Sequence, residues 1–387
     1  MVVRIQKPAV NIREKLAELE RPIGINGQAL LATETPQQAF DLLNVGRRNI
    51  LINGDMRIAQ RGSSTNSAAN NTYIVDRWQY EASTTGVVNV EQSTDAPAGF
   101  KYSSKITITT ADSNIASTDF QQILYKMEAN DISQLNYGTS NAKTCTLSFW
   151  VKASKPGTFP FSFQNHDGTR VYPENYSVNQ ANTWEYKTIV FPGDTGGSWV
   201  TTGTSLGFRF TFQFMLGSSF TGGTRGAWAA TTGFQNLCPP HTANLQETNA
   251  TFQITGVQLE AGKVATPFEY RSYGQELALC QRYFYTLEQQ QNSGAITGTS
   301  TNTVTRYQFP VEMRTAPTAS IITAGSWIVG NDYSTNYTAS TASIISSSLT
   351  KKGGRIAIGG FAAFNTNFFV AGTDSSGTAI IGLSSEL

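Results

Sequence analysis

Charged residues are scarce in this 387-residue sequence: it has 28 Lys and Arg, 27 Asp and Glu, and a formal net charge of +1. A nucleic-acid groove or an anionic membrane surface requires a local excess of Lys and Arg. The balance therefore argues against nucleic acid as a partner. Because 39% of the residues are apolar, the chain has enough material for a folded core, which excludes disorder of the whole chain.

Cysteine and histidine are scarce as well. Cys145, Cys238 and Cys280 are too few and too scattered for a disulfide framework, so we interpret them as reduced thiols. With only His166 and His241, the chain has little material for a metal cluster or a Ser/His/Asp group. The GxxxxGK[ST] pattern of a phosphate loop is missing too. The sequence predicts neither a metal site nor a cofactor.

Long hydrophobic segments are also missing. Residues 1–10 lack the apolar core of a secretory signal, and no segment approaches the roughly 20 apolar residues of a membrane span. We therefore expect the protein to be made in a cytoplasm and not to insert into a membrane.

Residues 1–48 are rich in basic residues and carry two short helical patterns. Asn11 and Glu14 form an N-terminal capping pattern, and Thr35 before Pro36 predicts a second helix start. Helices of about ten residues are marginal alone in water, so we infer that their apolar stripes pack against another protein or a symmetry mate. This segment is predicted to be an attachment segment. The apolar residues that would make the contact are Ile12, Leu16, Leu19, Phe40 and Leu43.

From residue 49 to residue 270, apolar residues recur at every second position instead of at the spacing of a helix. Odd-numbered residues are apolar in 145–151 and even-numbered ones in 208–214, which predicts half-buried antiparallel strands. The parity of the apolar residues changes at Thr255-Gly256, where we predict a glycine bulge. Many short strands with turns between them predict a jelly-roll β-sandwich over 49–270.

Residues 271–291 form a predicted junction whose pattern fits either a short helix or a strand. Residues 292–387 have weak strand patterns, are rich in Ser, Thr, Gly and Asn, and carry little charge. We predict a small C-terminal β-domain there that depends on neighbouring chains for burial. The whole chain is thus predicted to be mainly β, with short N-terminal helices, the jelly-roll sandwich and this small domain.

Loop carboxylates are the remaining candidates for catalysis. A glycosidase needs two carboxyl groups whose pKa values are pushed apart. Asp167, Glu174 and Asp194 lie in loops where they could act in this way, but turn formation and solvation explain them equally well. His166 lies in a polar loop and is interpreted as a surface residue. We expect no catalytic residues and no enzymatic activity.

Uncharged polar side chains and exposed aromatic residues indicate sugar recognition. Saccharide hydroxyls exchange hydrogen bonds with Asn, Gln, Ser and Thr, and the apolar face of a pyranose stacks on Trp or Tyr. In the C-terminal segment, such polar residues surround Trp327, Tyr333 and Tyr337. Trp150 lies at an even-numbered position of its predicted strand, where the other even-numbered residues are polar. These four are the candidate glycan contacts; a position in the core or at a subunit interface is the alternative.

Five sequence strings are long enough to be specific. They are NILINGDM at 49–56, LSFWVK at 147–152, ITGVQLEAG at 254–262, TPFEYRS at 266–272 and ELALCQRY at 276–283. Together they closely resemble the sandwich module of bacteriophage and prophage tail fibre or tail spike proteins. FPVEMR at 309–314 with Ala316-Pro317 resembles the start of the distal segment in the same proteins, so the match runs from about residue 49 to residue 317.

The resemblance implies a virion structural protein with a carbohydrate-binding-like jelly-roll module, which forms a homotrimer and faces bacterial surface polysaccharide. The N-terminal segment would dock on phage tail proteins such as an adaptor, a nozzle or a portal-proximal protein. The C-terminal domain would contact the glycan. The expected location is the virion, after assembly in the cytoplasm of the bacterial host.

Two alternatives stay open. One is a structural part without a receptor role, such as a head decoration, a tail adaptor or a nozzle-bound protein. The other is a polysaccharide depolymerase, although the sequence contains no repeat of fixed period like that of the β-helix in such spikes.

Overall fold

A computed structural model describes residues 48–232, 237–242, 244–287, 302–321, 327–331, 335–361, 370–372 and 381–387. Apart from Arg48, these residues belong to one compact unit, Asn49–Leu387. They are mainly β, as predicted, and their largest part is a sandwich of two antiparallel sheets. The candidate docking residues of the predicted N-terminal helices lie outside the described residues. They are Ile12, Leu16, Leu19, Phe40 and Leu43.

Turns separate the strands of the sandwich along the chain. The strands are β1 Ser64–Thr65, β2 Thr72–Val75, β3 Trp78–Ser83, β4 Val87–Ser93, β5 Ser103–Thr110, β6 Phe120–Glu128, β7 Cys145–Ala153, β8 Gly157–Asn165, β9 Arg170–Val178, β10 Glu185–Phe191, β11 Leu206–Leu216, β12 Ala229–Ala230 and β13 Thr251–Ala261. They pair into a front sheet, in the order β1-β4-β5-β13-β7-β10, and a back sheet, in the order β12-β9-β8-β11-β6-β3-β2. A short helix, α1 Ala129–Ile132, follows β6.

Aromatic side chains fill the space between the two sheets. Side chains alternate along a strand, so Phe208, Phe210, Phe212 and Phe214 of β11 all point inward and are fully buried. From β8, the ring of Phe163 stacks on that of Phe208 with 5.4 Å between centroids. Such pairs add ~0.5–1.5 kcal/mol each beyond the burial of their area. This core fixes which residues of each strand face outward.

The predicted junction contains both a helix and a strand. Helix α2 spans Tyr273–Gln281 and strand β14 spans Phe284–Leu287. The Ser272 hydroxyl accepts a hydrogen bond from the Gln275 N–H, and the Gln275 side chain accepts one from the Ser272 N–H, which caps α2. Neither α1 nor α2, the α-helices of the described residues, has the length and hydrophobicity of a membrane-spanning helix.

Strand β14 belongs to one of the two sheets of the C-terminal region. The remaining strands are β15 Asn302–Gln308, β16 Thr318–Ile321, β17 Trp327–Asn331, β18 Thr335–Thr350, β19 Gly353–Phe361, β20 Val370–Gly372 and β21 Ile381–Ser384. Among the described residues, one sheet has the order β14-β21-β16 and the other the order β15-β19-β18-β17-β20.

The C-terminal region has a small core of its own. Met313, Ile356, Ile381 and Leu383 are fully buried, and Leu287 of β14 packs with them. The described part of 292–387 forms this core together with the junction. The expectation that this region also depends on neighbouring chains for burial stays a prediction.

Ion pairs hold the end of the chain against the sandwich. The Glu386 carboxylate pairs with Arg77, and it also pairs with Arg61, whose Nη2 lies 3.0 Å away. Burial alone would lower the pKa of Arg77, but the charge of Glu386 raises it. Lys126 Nζ donates a hydrogen bond to the Leu387 carbonyl oxygen at 2.9 Å. The last residues are therefore part of the folded sandwich.

Replacing Glu386 by alanine is expected to lower the free energy of unfolding by about 3–5 kcal/mol, because the buried Arg77 loses its counter-ion. Denaturant unfolding followed by tryptophan fluorescence measures the loss. The matched control is Glu312→Ala: this carboxylate is 52% exposed and lies 3.9 Å from the exposed Lys352, so less than about 0.5 kcal/mol is expected. Equal losses in the two variants would contradict the structural role of Glu386.

Candidate binding groove

Strand β7 presents its even-numbered residues on the outside of the front sheet. Its odd-numbered residues are fully buried in the core, whereas Trp150 is partly exposed on the outer face, as its parity indicates. Tyr186 of β10 lies directly opposite Trp150 and is 46% exposed. The centroids of the two rings are 5.4 Å apart. Trp150 and Tyr186 form a first aromatic wall.

A second wall comes from two other segments. Phe100 lies in the loop between β4 and β5, and Phe268 and Tyr270 lie in the strap, which we define as residues 262–270 after β13. The Phe100 ring is 5.1 Å from the Phe268 ring and 5.7 Å from the Tyr270 ring. The Tyr270 hydroxyl donates a hydrogen bond to the Gly99 carbonyl oxygen at 2.9 Å, which ties the strap to the loop.

The two walls enclose a groove with a volume of about 520 Å³. Ser148 and Gly256 lie in its floor, and Pro267 completes the second wall. Sites of this size, lined by aromatic side chains with a few polar groups, commonly take small-molecule ligands. No lining residue carries a charge.

A bulge in β13 shapes the floor. The pairing of β13 with β7 shifts between Thr255 and Gln258, and Gly256 has a φ of 59°, in agreement with the predicted bulge. A Cβ atom on Gly256 would lie 2.6 Å from Cζ of Phe100, closer than atoms pack. Glycine is therefore the residue that lets the Phe100 ring lie against the strand.

Buried polar side chains of β13 fix the strap. Glu260 is fully buried and accepts hydrogen bonds from the Thr266 N–H at 2.9 Å and the Thr266 hydroxyl at 2.7 Å. Gln258 accepts one from the Glu269 N–H at 2.8 Å and donates one to Glu260 at 2.9 Å. The second wall is thus held in place without a ligand, which reduces the ordering entropy that binding would cost.

Three polar groups of the groove can serve a ligand. They belong to three residues of its lining: Ser148, which is only 2% exposed, with its hydroxyl, Trp150 with its indole N–H, and Tyr186, which is 46% exposed, with its hydroxyl. None of them forms a hydrogen bond with another of the described residues. The groove therefore offers hydrogen-bonding groups next to aromatic faces.

Of the four candidate glycan contacts, the groove contains Trp150. Trp327 and Tyr337 lie on neighbouring strands, where the backbone of Trp327 pairs with Ala339 and that of Tyr337 with Val329. Their side chains lie outside the described part of the structure, as does the whole of Tyr333.

The other aromatic residues of the groove are not among the four predicted glycan contacts. A local signal of outward position is missing at Tyr186, because Trp184, Thr188 and Val190 share its parity in 184–191 while the charged Glu185 and Lys187 have the other parity. Phe100 has no such local signal, because the tertiary fold alone brings its loop to β13.

The carboxylates considered for catalysis are engaged away from the groove, and Glu174 lies in strand β9 rather than in the predicted loop. Asp194 is buried and accepts hydrogen bonds from Nε and Nη2 of Arg170 at 2.8 and 2.7 Å. Glu174 pairs with Arg225, and Asp167 accepts hydrogen bonds within its own turn. None of the three lines the groove.

The cysteines are all free and buried, in agreement with reduced thiols. Cys238 Sγ lies 3.7 Å from Nδ1 of His241, but burial raises the pKa of this thiol to about 12. The thiol therefore stays protonated at neutral pH, which is unsuitable for a nucleophile. Within the described ranges, no group of His, Cys, Asp and Glu has the arrangement of a metal site.

Gly256→Ala is expected to lower the free energy of unfolding by about 1–3 kcal/mol, because the new methyl group must displace the Phe100 ring. The matched control is Gly203→Ala: this glycine has a φ of 86° and no atom within 4 Å of an added Cβ, so backbone strain acts alone there. Thermal and denaturant unfolding compare the two. A smaller loss at Gly256 than at Gly203 would show that the ring does not depend on the bulge.

No protein-family model matches the chain, and no curated protein sequence matches it. Some solved structures are similar to about half of it. One is the enzymatically active domain of tailspike protein 4 of bacteriophage CBA120, at 12% identity and a TM-score of 0.28, over 51% of this chain and 21% of that chain. Another is the family 11 carbohydrate-binding module from Clostridium thermocellum in complex with a β-1,3-1,4-mixed-linked tetrasaccharide, at 9% identity and a TM-score of 0.27, over 53% and 97%.

A third similar structure is the N-terminal cellulose-binding domain of β-1,4-glucanase C from Cellulomonas fimi, at 11% identity and a TM-score of 0.27, over 54% of this chain and 99% of that chain. The match spans about a fifth of the tailspike chain and nearly all of the two binding modules. These identities and TM-scores are too low to carry an argument about function, so the case for a binding site rests on the geometry of the groove.

Proposed function

We propose that this protein binds a glycan, namely a bacterial surface polysaccharide, through the groove on the front sheet. The observation that carries the proposal is the pair of aromatic walls that face each other across the groove. Trp150 and Tyr186 form the first wall, and Phe100 with its neighbours forms the second. The floor between them contains the hydroxyl group of Ser148. A pyranose has an apolar face that stacks on aromatic rings and hydroxyls at its edge that need hydrogen bonds. The groove provides both kinds of contact within about 520 Å³.

The groove would hold a sugar ring against one wall while its hydroxyls exchange hydrogen bonds with Ser148, Trp150 and Tyr186. Aromatic side chains lose little rotamer freedom on binding, and Glu260 and Gln258 already fix the strap. Affinity would therefore come from stacking on preformed walls.

We further infer that the protein is a structural part of a phage virion, a tail fibre or short tail spike that binds glycan without cleaving it. The resemblance of the five sequence strings supports the virion role. The engagement of Asp194 and Glu174 by arginines supports binding without hydrolysis. Residues 1–48 would dock on the tail, and a homotrimer would present three grooves to one polysaccharide surface, which raises the avidity.

Trp150→Ala is expected to weaken glycan binding at least about tenfold, equivalent to about 1.4 kcal/mol, because it removes half of one wall. An array of bacterial polysaccharides identifies a bound glycan, and calorimetry with that glycan measures the loss. Tyr273→Ala is the matched control, since this residue is 60% exposed on α2 and does not line the groove. Unchanged binding by the Trp150 variant would show that the glycan site lies elsewhere in the chain. Release of reducing sugar by the protein would favour a depolymerase.

The virion role predicts a defined assembly and location. Multi-angle light scattering is expected to give three times the mass of the 42.0 kDa chain. Antibodies against the protein are expected to label the tail of phage particles in electron micrographs. Label on the head would favour a decoration protein, and a stable monomer would refute the trimer.

A further inference from the structure

The groove is uncharged along its whole lining, which consists of aromatic residues, a proline, a glycine and Ser148. A carboxylate or phosphate group entering it would lose water and meet no cation on the groove surface. An ionised group transferred from water without a counter-ion costs far more free energy than a hydroxyl that keeps a hydrogen bond.

The charged residues next to Trp150 and Tyr186 are already paired. Lys152 Nζ lies 2.6 Å from the Asp95 carboxylate, and Lys187 Nζ lies 2.6 Å from the Glu185 carboxylate. The indole N–H of Trp184 also donates to Asp95 at 3.1 Å. An acidic ligand at the first wall would have to separate Lys152 from Asp95 to gain that cation.

The second wall has one ion pair and two exposed lysines near it. Asp55 and Arg57, whose charges act on Tyr270, form an ion pair with each other. Lys101 and Lys263 are exposed on the loop and the strap, but neither lines the groove. The Lys101 ammonium group instead lies over the Tyr102 ring, 5.1 Å from its centroid.

From this arrangement we propose that the groove selects uncharged saccharides over acidic ones. The inference rests on the proposed function and narrows it to a class of ligand. Stacking favours both classes equally, so the discrimination comes from the missing cation alone.

Oligosaccharide pairs that differ only at C6 test this selectivity. Cellotetraose and its glucuronate counterpart form one pair, β-1,4-mannotetraose and tetramannuronate a second, and α-1,4-galactotetraose and tetragalacturonate a third. Calorimetry with the full chain at physiological salt is expected to show the neutral member of a bound pair binding at least about tenfold more tightly. An acidic member that binds as tightly as its neutral partner, or more tightly, would overturn the selectivity while leaving glycan binding intact.

A polysaccharide array covers ligands outside these pairs. Binding confined to neutral polysaccharides supports the selectivity, and binding to acidic ones through Trp150 overturns it. If no glycan binds in either format, the proposed function itself fails, which is a different result from binding with the wrong charge preference.

A charge-gain variant tests the cause. Thr188 is exposed and pairs with Ser148 of the floor, so Thr188→Lys adds an unpaired cation at the edge of the groove. Its preference for the neutral member is expected to fall at least about threefold relative to the matched neutral variant Thr188→Gln, and to recover at high salt. If the two variants discriminate equally, the missing cation is not the source of the selectivity.

Discussion

The contact between the Phe100 ring and Gly256 decides whether the groove exists. The ring can lie on β13 only where the strand has no Cβ atom. Gly256, which lies in the bulge, is that position. Past the bulge, Gln258 and Glu260 face outward beneath the strap and bind it. One irregularity in a strand therefore creates the floor of the groove and anchors its second wall.

The two sheets of the sandwich use their outer faces differently. On the back sheet, buried polar side chains point outward and bond to one another: the hydroxyls of Ser162 and Thr211 are 2.9 Å apart, and Gln213 donates to Ser162 at 2.9 Å. On the front sheet, Trp150 and Tyr186 form an aromatic pair that points outward. The proposed glycan site rests on this outward pair.

Local patterns in the sequence predict some of this arrangement. The period of two identifies the sandwich, the outward position of Trp150 and the bulge at Gly256, because each depends on neighbouring residues in one strand. The pairing of Trp150 with Tyr186 depends on which strand lies beside β7 and in which register. The position of Phe100 and the burial of Leu287 depend on contacts between segments far apart in sequence. No rule of periodicity contains that information.

The scarcity of charge has a physical meaning in the folded chain. Several of the charged residues form buried or partly buried ion pairs that join segments far apart in the sequence. Glu386 pairs with Arg77. Glu128 pairs with Arg282, with 2.7 Å between a carboxylate oxygen and Nη2. These pairs fix the end of the chain and the junction against the sandwich. No residue that lines the groove carries a charge, so the proposed glycan would be recognised by stacking, by hydrogen bonds and by the distance between the two walls. A binding site of this kind depends on the rigidity of its walls, which the bulge and the buried Glu260 provide.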